Sequence, residues 1–258
     1  MKTVVTIADL REALAPARDR GDSVGLVPTM GAFHDGHGSL FRAAREECDT
    51  VVVSLFVNPA QFEKDVDLDA YPGDLEADMA FAAEAGVDLL FTPSAAELYP
   101  PGFQTWVEVE ELGRRLEGEH RPGHFRGVAT VCLKLFNLVQ PTRAYFGQKD
   151  AQQVAVLRRM IDDLELELPL RVLPTVRDLD GLAFSSRNAR LTPADRRLAL
   201  ALPRALETRD LEAARAELAG LDVDYVELVD LDPPVLAAAV RVGSTRLIDN
   251  VVLEKEKP

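Results

Sequence analysis

Apolar residues alternate along the chain between short continuous runs and longer segments with helical spacing. The run at 51–57 is rich in β-branched residues, which is typical of a strand buried on both faces of a parallel sheet. Similar runs lie at 23–27, 88–92, 143–146 and 170–173, and a weaker one lies at 104–109. Because helical segments separate these runs, the pattern predicts right-handed crossovers and a mostly parallel sheet.

Capping and breaking residues mark the ends of the predicted helices. Thr6 precedes a helical segment that ends at Gly21. The helical spacing of apolar residues also predicts a helix that ends at residue 47 and helices over 74–85 and 129–138. Beyond 174, Pro193 opens helical sequence to residue 219, broken near 208–210, and strands are predicted at 225–229 and 246–253. The sequence therefore predicts an α/β domain over residues 1–174 and a smaller α+β domain over residues 175–258.

The most distinctive segment joins a predicted strand to a predicted helix and reads PTMGAFHDGHGSL over residues 28–40. Gly31 and Gly36 permit positive φ or close approach of a ligand, and a helix N-terminus favours anions. His34 and His37 would share a face on a helical turn, where they could stabilise negative charge on phosphate oxygens. Two alternatives stay open, namely a metal site, which needs further ligands, and a structural turn with incidental histidines.

Polar residues mark two further turns. Asn58 and Gln61 follow the strand at 51–57, at the edge where parallel sheets bind ligands, and could orient a small polar molecule. The pair Asn58-Pro59 is also an ordinary turn signal. The turn before the helix at 129–138 collects donor and cationic groups suited to an anion, namely His120, Arg121, His124 and Arg126.

Two later segments also suit phosphate. Lys149 lies near a predicted helix N-terminus, where the dipole disfavours a cation unless an anionic ligand offsets it. The Ser185-Ser186-Arg187 segment offers two hydroxyls and a planar donor fork, although it could equally be a polar loop. Three acidic residues could approach a magnesium ion, but solvated helix surface is favoured for most of them: Asp74, Glu76 and Asp78.

Composition excludes several classes of protein. The chain has 258 residues, 47% of them hydrophobic, which is enough for a buried core. A net charge of −14 argues against nucleic acid as a partner. Cys48 and Cys132 lie in apolar helical patterns and are expected to be buried thiols. Neither a membrane span nor an apolar signal region is predicted, so we expect no membrane partner and a cytoplasmic protein.

Five segments, in order, resemble the pantothenate synthetase family of the His-x-Gly-His nucleotidylyltransferase superfamily. They are the central turn, FVNPAQF at 56–62, DAYP at 69–72, FGQKD at 146–150 and SSRN at 185–188. The resemblance implies a Rossmann-like parallel-sheet domain with the smaller domain covering an ATP site. It also implies condensation of pantoate with β-alanine through a pantoyl adenylate, releasing AMP and pyrophosphate, with Mg²⁺ and a homodimer.

The resemblance also implies roles for particular residues. Those implied to contact the ATP phosphates are His34, His37, Lys149, Ser185, Ser186 and Arg187. Those implied to form the rest of the nucleotide site are Pro28, Thr29, Gly31, Gly36, Gly147, Asp150 and Val176. Those implied for pantoate are Met30 through its backbone, Asn58, Gln61 and Gln153, with His124 and Tyr71 at the cavity edge. Asp78 is the candidate magnesium ligand.

The sequence departs from the family pattern at three positions. Gln148 stands where Glu is usual, Phe184 where Met is usual and Gly38 where Leu is common, and none removes a charged catalytic group. Two other functions stay open: a different nucleotidylyltransferase of the same fold, or a nucleotide-binding protein that has lost its chemistry. The polar set Asn58, Gln61 and Gln153 argues against the first, and the intact histidines and lysine argue against the second.

Overall fold

The chain forms two packing units in a computed structural model that describes residues 1–62 and 73–253. The first unit comprises Met1–Phe146 and Val156–Leu173, and the second comprises Gly147–Ala155 and Pro174–Pro258. One boundary, between Leu173 and Pro174, lies beside the predicted division at residue 174. The segment 147–155 packs with the C-terminal unit, although the sequence-based division placed it in the first domain.

A six-stranded sheet in the order β1-β4-β3-β2-β5-β6 organises the first unit. The pairs from β1 through β4, β3 and β2 to β5 are parallel, and Thr29 pairs with Leu55 where β2 and β3 end. The central turn and Asn58 therefore leave the sheet at the same edge. The strands are β1 (Lys2–Val4), β2 (Val24–Thr29), β3 (Thr50–Leu55), β4 (Leu89–Phe91), β5 (Arg143–Gly147) and β6 (Leu170–Leu173).

Helices surround this sheet and end at the predicted signals. Thr6 accepts a hydrogen bond from the backbone N–H of Asp9 as the N-cap of the first helix, and Gly21 closes that helix at φ 72°. Among the described residues, no helix is long and apolar enough to cross a membrane. The helices up to residue 163 are α1 (Ile7–Arg20), α2 (Asp35–Glu47), α3 (Leu75–Glu84), α4 (Ala95–Leu98), α5 (Glu117–His120), α6 (His124–Val139) and α7 (Ala151–Asp163).

The predicted strands of the first unit are confirmed within a few residues, with two exceptions. The edge strand β1 was not predicted from the sequence, because its three residues are too few to show a pattern. The predicted strand at 104–109 is wrong, because residues 103–109 form no regular structure. There the backbone N–H of Val107 donates to the hydroxyl of Thr130 on α6, at 3.0 Å, instead of to a neighbouring strand.

The C-terminal unit is a three-stranded antiparallel sheet with short helices, which confirms the predicted α+β class. Its buried cluster includes Leu202 and Leu206 from a helix and Leu236 and Leu247 from the sheet. The strands are β7 (Asp222–Asp230), β8 (Pro234–Val242) and β9 (Thr245–Val252), and the helices are α8 (Pro193–Ala199), α9 (Ala201–Glu207) and α10 (Leu211–Glu217).

Two features of this unit were not predicted from the sequence. The central strand β8 carries three consecutive alanines at 237–239, which have low strand propensity, and its burial on both faces removes the usual alternation. The helical sequence also breaks at Leu200, between α8 and α9. Pro203 explains this break, because its ring crowds the carbonyl of Ala199 and its nitrogen carries no proton.

Candidate active site

The central turn joins β2 to α2, as the sequence predicts, and a buried carboxylate holds it. Gly31 has φ 84° and Ala32 has φ 53°, so both lie in the left-handed region. Asp78 of α3 accepts hydrogen bonds from the backbone N–H groups of Ala32 at 2.8 Å and Phe33 at 2.6 Å. A Cβ at Gly31 would lie 2.9 Å from the Asp78 carboxylate, so a side chain there would displace it.

The two histidines of this turn lie against each other. His34 is the N-cap of α2, and its Nδ1 accepts a hydrogen bond from the N–H of Gly36 at 3.1 Å. This bond leaves the proton of the neutral ring on Nε2, which is therefore a donor. The rings of His34 and His37 are 4.2 Å apart between centroids, which confirms their predicted shared face. Within residues 1–62 and 73–253 no three His, Cys, Asp or Glu side chains gather as metal ligands, so the zinc alternative gains no support.

Asn58 and Gln61 form a buried amide pair around the 3₁₀ turn Pro59–Gln61. The Nδ2 group of Asn58 donates to Oε1 of Gln61 at 3.0 Å and to the carbonyl of Gly127 at 3.1 Å. The Nε2 group of Gln61 donates to the sulfur of Met30 at 2.9 Å. The Met30 contact brings this polar pair to the central turn, so the predicted polar cluster and the histidine turn are neighbours.

His124, at the start of α6, makes a hydrogen bond to the backbone of Gln61. Its Nδ1 lies 3.0 Å from the carbonyl oxygen of Gln61 and must donate to it, which makes Nε2 the acceptor for Arg121 at 3.3 Å. Both ring nitrogens are thus engaged, and the residue is only 9% exposed. Arg121 also lies 3.9 Å from the carboxylate of Glu117, so its charge is balanced within the protein. The contacts give His124 a supporting role for Gln61, and its place at the edge of a substrate cavity stays a prediction.

Two residues that sequence analysis missed pack against the Asn58–Gln61 turn. A Cβ at Gly127 would lie 2.4 Å from the carbonyl oxygen of Ala60, so only glycine lets α6 approach the 3₁₀ turn this closely. Tyr99 donates its hydroxyl to Oδ1 of Asn58 at 2.9 Å. Burial raises the pKa of Tyr99 to about 12, which keeps the phenol protonated. The available signal for Gly127 was a glycine two residues before the apolar helical pattern at 129–138.

In the second unit, Lys149 lies in the 3₁₀ turn Gln148–Asp150, just before α7. Asn250 of β9 donates its amide to the carbonyls of both Gln148 and Lys149, each at 2.9 Å. Its Oδ1 accepts from Nε2 of Gln148 at 3.1 Å. The lysine turn is therefore fixed by a buried strand residue that sequence analysis did not single out.

A short hairpin in the same unit carries the Ser-Ser-Arg segment. Its ends meet where the N–H of Phe184 donates to the carbonyl of Val176 at 3.0 Å. Ser185 caps the 3₁₀ turn Ser186–Arg190 by accepting a hydrogen bond from the N–H of Arg187 at 3.3 Å. This cap uses one lone pair of the Ser185 oxygen and leaves its O–H as a donor.

The remaining predicted site residues fall into three groups. Gly147 lies two residues before Lys149, Asp150 follows it, and the half-buried Gln153 lies on α7. Pro28 and Thr29 are the last two residues of β2. Tyr71 and the rest of the DAYP segment lie outside the described residues. Both carboxylate oxygens of Asp78 accept backbone hydrogen bonds, so the contacts support a turn-holding role and give the magnesium assignment no support.

The departure at Gly38 has a structural explanation. A Cβ there would lie 3.1 Å from the ring of Phe81 and 3.2 Å from the guanidinium of Arg42. Phe81 of α3 thus occupies space beside α2 that a larger residue at 38 would need. The contacts of Phe184 offer no comparable explanation for that departure.

The parallel sheet, with paired histidines where a helix leaves its edge, defines a Rossmann-like protein of the His-x-Gly-His nucleotidylyltransferase class. The sequence model of the family described as pantoate-beta-alanine ligase matches residues 2–252. The chain belongs to this family.

Relatives and solved structures agree with this assignment. The chain is 50% identical to a pantothenate synthetase from Pelotomaculum thermopropionicum, covering 96% of this chain and 97% of that protein. It is 51% identical to one from Corynebacterium efficiens, with 96% and 97% covered. The crystal structure of the pantothenate synthetase from Thermus thermophilus matches with TM-score 0.92 and 45% identity, covering 98% and 99%. A Francisella tularensis pantoate-beta-alanine ligase, complexed with beta-gamma ATP and beta-alanine, matches with TM-score 0.89 and 36% identity, covering 98% and 97%.

The chain is accordingly an ATP-dependent ligase that condenses pantoate with β-alanine to pantothenate.

Proposed function

We propose that the condensation proceeds in two steps through a pantoyl adenylate. A carboxylate oxygen of pantoate attacks the α-phosphorus of ATP, the bond to the bridging oxygen breaks, and pyrophosphate leaves. The amine of β-alanine then attacks the acyl carbon and loses a proton, while the acyl C–O bond breaks and AMP leaves. AMP therefore carries away one oxygen that began in pantoate. Adenylation is needed because a free carboxylate is a poor acylating agent.

The paired histidines carry this proposal. The Gly36 N–H fixes the tautomer of His34, so its Nε2–H is a preorganised donor, and His37 stands 4.2 Å away on the same face. Charge that builds on the phosphate oxygens as pyrophosphate departs would be stabilised by two imidazole donors at a helix N-terminus. Since the Nε2–H of His34 is already in place, this donor needs no reorganisation during the reaction.

We assign pantoate binding to the amide pair Asn58 and Gln61, beside Met30. One N–H of the Gln61 amide is spent on a thioether, which is a weak acceptor. A pantoate hydroxyl or carboxylate is a stronger acceptor, so exchanging the Met30 sulfur for the substrate is favourable. Tyr99 and Gly127 hold Asn58 in position, and His124 holds the backbone of Gln61. Gln153 is the further pantoate ligand that the family resemblance implies.

The C-terminal unit supplies the other proposed phosphate contacts. Lys149 provides a point charge, and Arg187 provides a planar fork suited to two phosphate oxygens. Ser185 and Ser186 add hydroxyl donors from the turn that follows the hairpin. The proposed nucleotide contacts are completed by Gly31 and Gly36 in the first unit and by Gly147, Asp150 and Val176.

Magnesium enters this proposal only with ATP. In the described part of the chain no cluster of three possible ligands forms, and Asp78 spends both oxygens on backbone N–H groups. Residues 1–62 and 73–253 thus offer no group of three possible magnesium ligands, and we assign the predicted ion to the ATP phosphates. The homodimer likewise stays a prediction from the family resemblance, which sedimentation velocity of the purified chain tests.

Oxygen transfer tests the two-step proposal directly. Pantoate labelled with ¹⁸O in its carboxylate is converted with ATP and β-alanine, and the products are examined by mass spectrometry. We expect one labelled oxygen in AMP and none in pyrophosphate. Labelled inorganic phosphate together with ADP would show an acyl phosphate instead and would overturn the adenylate. A nucleotidylyltransferase with another acceptor would form no amide, and a protein without chemistry would bind ATP and form no AMP.

A further inference from the structure

Asn250 lies near the end of β9 and is 4% exposed, yet every polar group of its side chain makes a hydrogen bond. Its amide nitrogen donates to the carbonyls of Gln148 and Lys149, and its oxygen accepts from the side chain of Gln148. Two carbonyl oxygens 2.9 Å away can be met only by the NH₂ group, so the orientation of the amide is forced. The three hydrogen bonds thus join Asn250 to two consecutive residues of the turn, Gln148 and Lys149.

These hydrogen bonds matter because a short 3₁₀ turn restrains its own residues only weakly. A 3₁₀ turn of three residues makes little internal hydrogen bonding, and Gly147, which precedes it, adds no side chain. The bonds from Asn250 to the carbonyls of Gln148 and Lys149 restrain the backbone from which the flexible side chain of Lys149 extends. Lysine carries four rotatable side-chain bonds, so a fixed origin reduces the entropy that is lost when its ammonium meets a ligand.

The next residue back along β9 ties the same strand to the Ser-Ser-Arg hairpin. Asp249 is 3% exposed and accepts two hydrogen bonds from Arg177, at 2.6 and 3.2 Å. It also accepts the backbone N–H of Asn250 at 2.8 Å. Successive strand residues face opposite ways, so β9 can reach the lysine turn with one residue and the hairpin with its neighbour.

We propose that Asn250 is a positioning residue for the reaction, because it fixes the turn that presents Lys149, while Asp249 fixes through Arg177 the hairpin that presents Ser185, Ser186 and Arg187. Adjacent residues of one strand thus set the origins of both groups of phosphate contacts in the C-terminal unit. The inference rests on the proposed role of Lys149 toward ATP. The Asp249–Asn250 step is visible in the sequence as two polar residues inside an apolar strand.

The test is a double-mutant cycle between Asn250 and Lys149. Asn250→Asp keeps the shape of the side chain but turns a carboxylate oxygen toward two carbonyls, so both donated bonds are lost. We expect the maximal rate of pantoate-dependent ATP–pyrophosphate exchange to fall at least about tenfold, with a smaller change in the KM for pantoate. In a Lys149→Ala background the same substitution should cost less than about threefold, because the group it positions is gone.

Two controls separate positioning from general damage. Thr245→Val changes a buried polar residue at the other end of β9 without altering its shape, and we expect exchange within about twofold of the parent. Thermal unfolding of each variant reports its stability, and Asn250→Ala repeats the cycle should Asn250→Asp fail to fold. Equal losses from Asn250→Asp with and without Lys149 would overturn the inference, as would a variant that folds and exchanges at the parental rate.

The four proteins of the double-mutant cycle are also titrated with ATP by calorimetry. They are the parent, Asn250→Asp, Lys149→Ala and the variant that carries both substitutions. If the unsubstituted protein binds ATP but shows no ATP–pyrophosphate exchange with pantoate, the proposed reaction is refuted. The positioning inference is then tested by the affinity of the four proteins for ATP. In that case Asn250→Asp must weaken ATP binding in the parent and leave it unchanged in Lys149→Ala. Additive losses of affinity would overturn it.

Discussion

The carboxylate of Asp78 accepts a 2.6 Å hydrogen bond from the backbone N–H of Phe33, the residue immediately before the first catalytic histidine proposed here. Its second oxygen accepts from Ala32 at 2.8 Å. A buried anion between two N–H groups of a left-handed turn stabilises a backbone that would otherwise be strained. The sequence suggested Asp78 as a magnesium ligand, and its contacts suggest that it shapes the histidine turn.

Asp78→Asn separates these two roles. The amide can accept from only one N–H and turns its own NH₂ toward the other, so we expect a loss of about 1–3 kcal/mol in stability and slower exchange. The magnesium concentration that gives half-maximal exchange should not change if, as we propose, the ion is carried by ATP. Glu76→Gln, at an exposed position on the same helix, is the control. A higher magnesium requirement in a fully stable Asp78→Asn protein would restore the metal assignment.

Gly127→Ala tests the contact between α6 and the Asn58–Gln61 turn. The new methyl group would lie 2.4 Å from the carbonyl oxygen of Ala60, so the turn must move or the helix must shift. We expect stability to fall by about 1–3 kcal/mol and the KM for pantoate to rise more than the KM for ATP. Gly73→Ala, where a Cβ meets nothing within 4 Å, should change neither constant. A selective rise in the KM for ATP would count against pantoate binding at Asn58 and Gln61.

Lys149→Ala tests the proposed phosphate contact. Removing one preorganised donor should slow pantoate-dependent exchange by about 100-fold or more. The exposed Lys2 offers a matched substitution in the same chain, and Lys2→Ala should exchange normally. A well-folded Lys149→Ala protein with near-normal turnover would remove the lysine from the mechanism.

Arg196 makes the acid stability of the C-terminal unit predictable. It bonds Asp178 at 2.6 Å and Asp180 at 2.7 Å, and its hydrogen bond is the main cause that lowers the pKa of Asp180. A lowered carboxyl pKa gives stability that is present above the unfolded value of about 3.9 and is lost as the pH falls through the folded value. Since both ion pairs are partly exposed, Arg196→Gln should cost only about 1 kcal/mol at pH 7.

Urea unfolding at pH 7 and at pH 3 measures this effect. The difference between Arg196→Gln and the parent should be smaller at pH 3, because the stability that comes from the lowered pKa of Asp180 declines as the pH falls below the unfolded value. Arg197→Gln, at the exposed neighbouring position, should match the parent at both values. A difference that is as large at pH 3 as at pH 7 would show that Arg196 stabilises the hairpin through packing rather than charge.

Local signals made much of the fold predictable. Thr6, Gly21 and the β-branched run at 51–57 act within a few residues of themselves, so the first helix and the central strand followed from the sequence. The shared face of His34 and His37 followed from helical spacing. Neither β8 nor the break before Pro203 was found, because three alanines give no alternating pattern and a proline near a helix start is an ambiguous signal.

The supporting residues of the site could not be predicted because their contacts join distant parts of the chain. Tyr99 and Asn58 are 41 positions apart, and Asn250 and Lys149 are 101 apart. A sequence pattern shows that a polar residue interrupts an apolar strand, as Asp249 and Asn250 do, but it does not show which turn that residue meets. His124 illustrates the same point, since its ring nitrogens are used by Gln61 and Arg121.

The most direct test of the account is ATP–pyrophosphate isotope exchange by the purified protein, with and without pantoate and in the absence of β-alanine. Reversible adenylate formation requires pantoate but not β-alanine. We expect exchange only when pantoate is present. Exchange without pantoate, or none with pantoate in a folded protein that binds ATP, would contradict it.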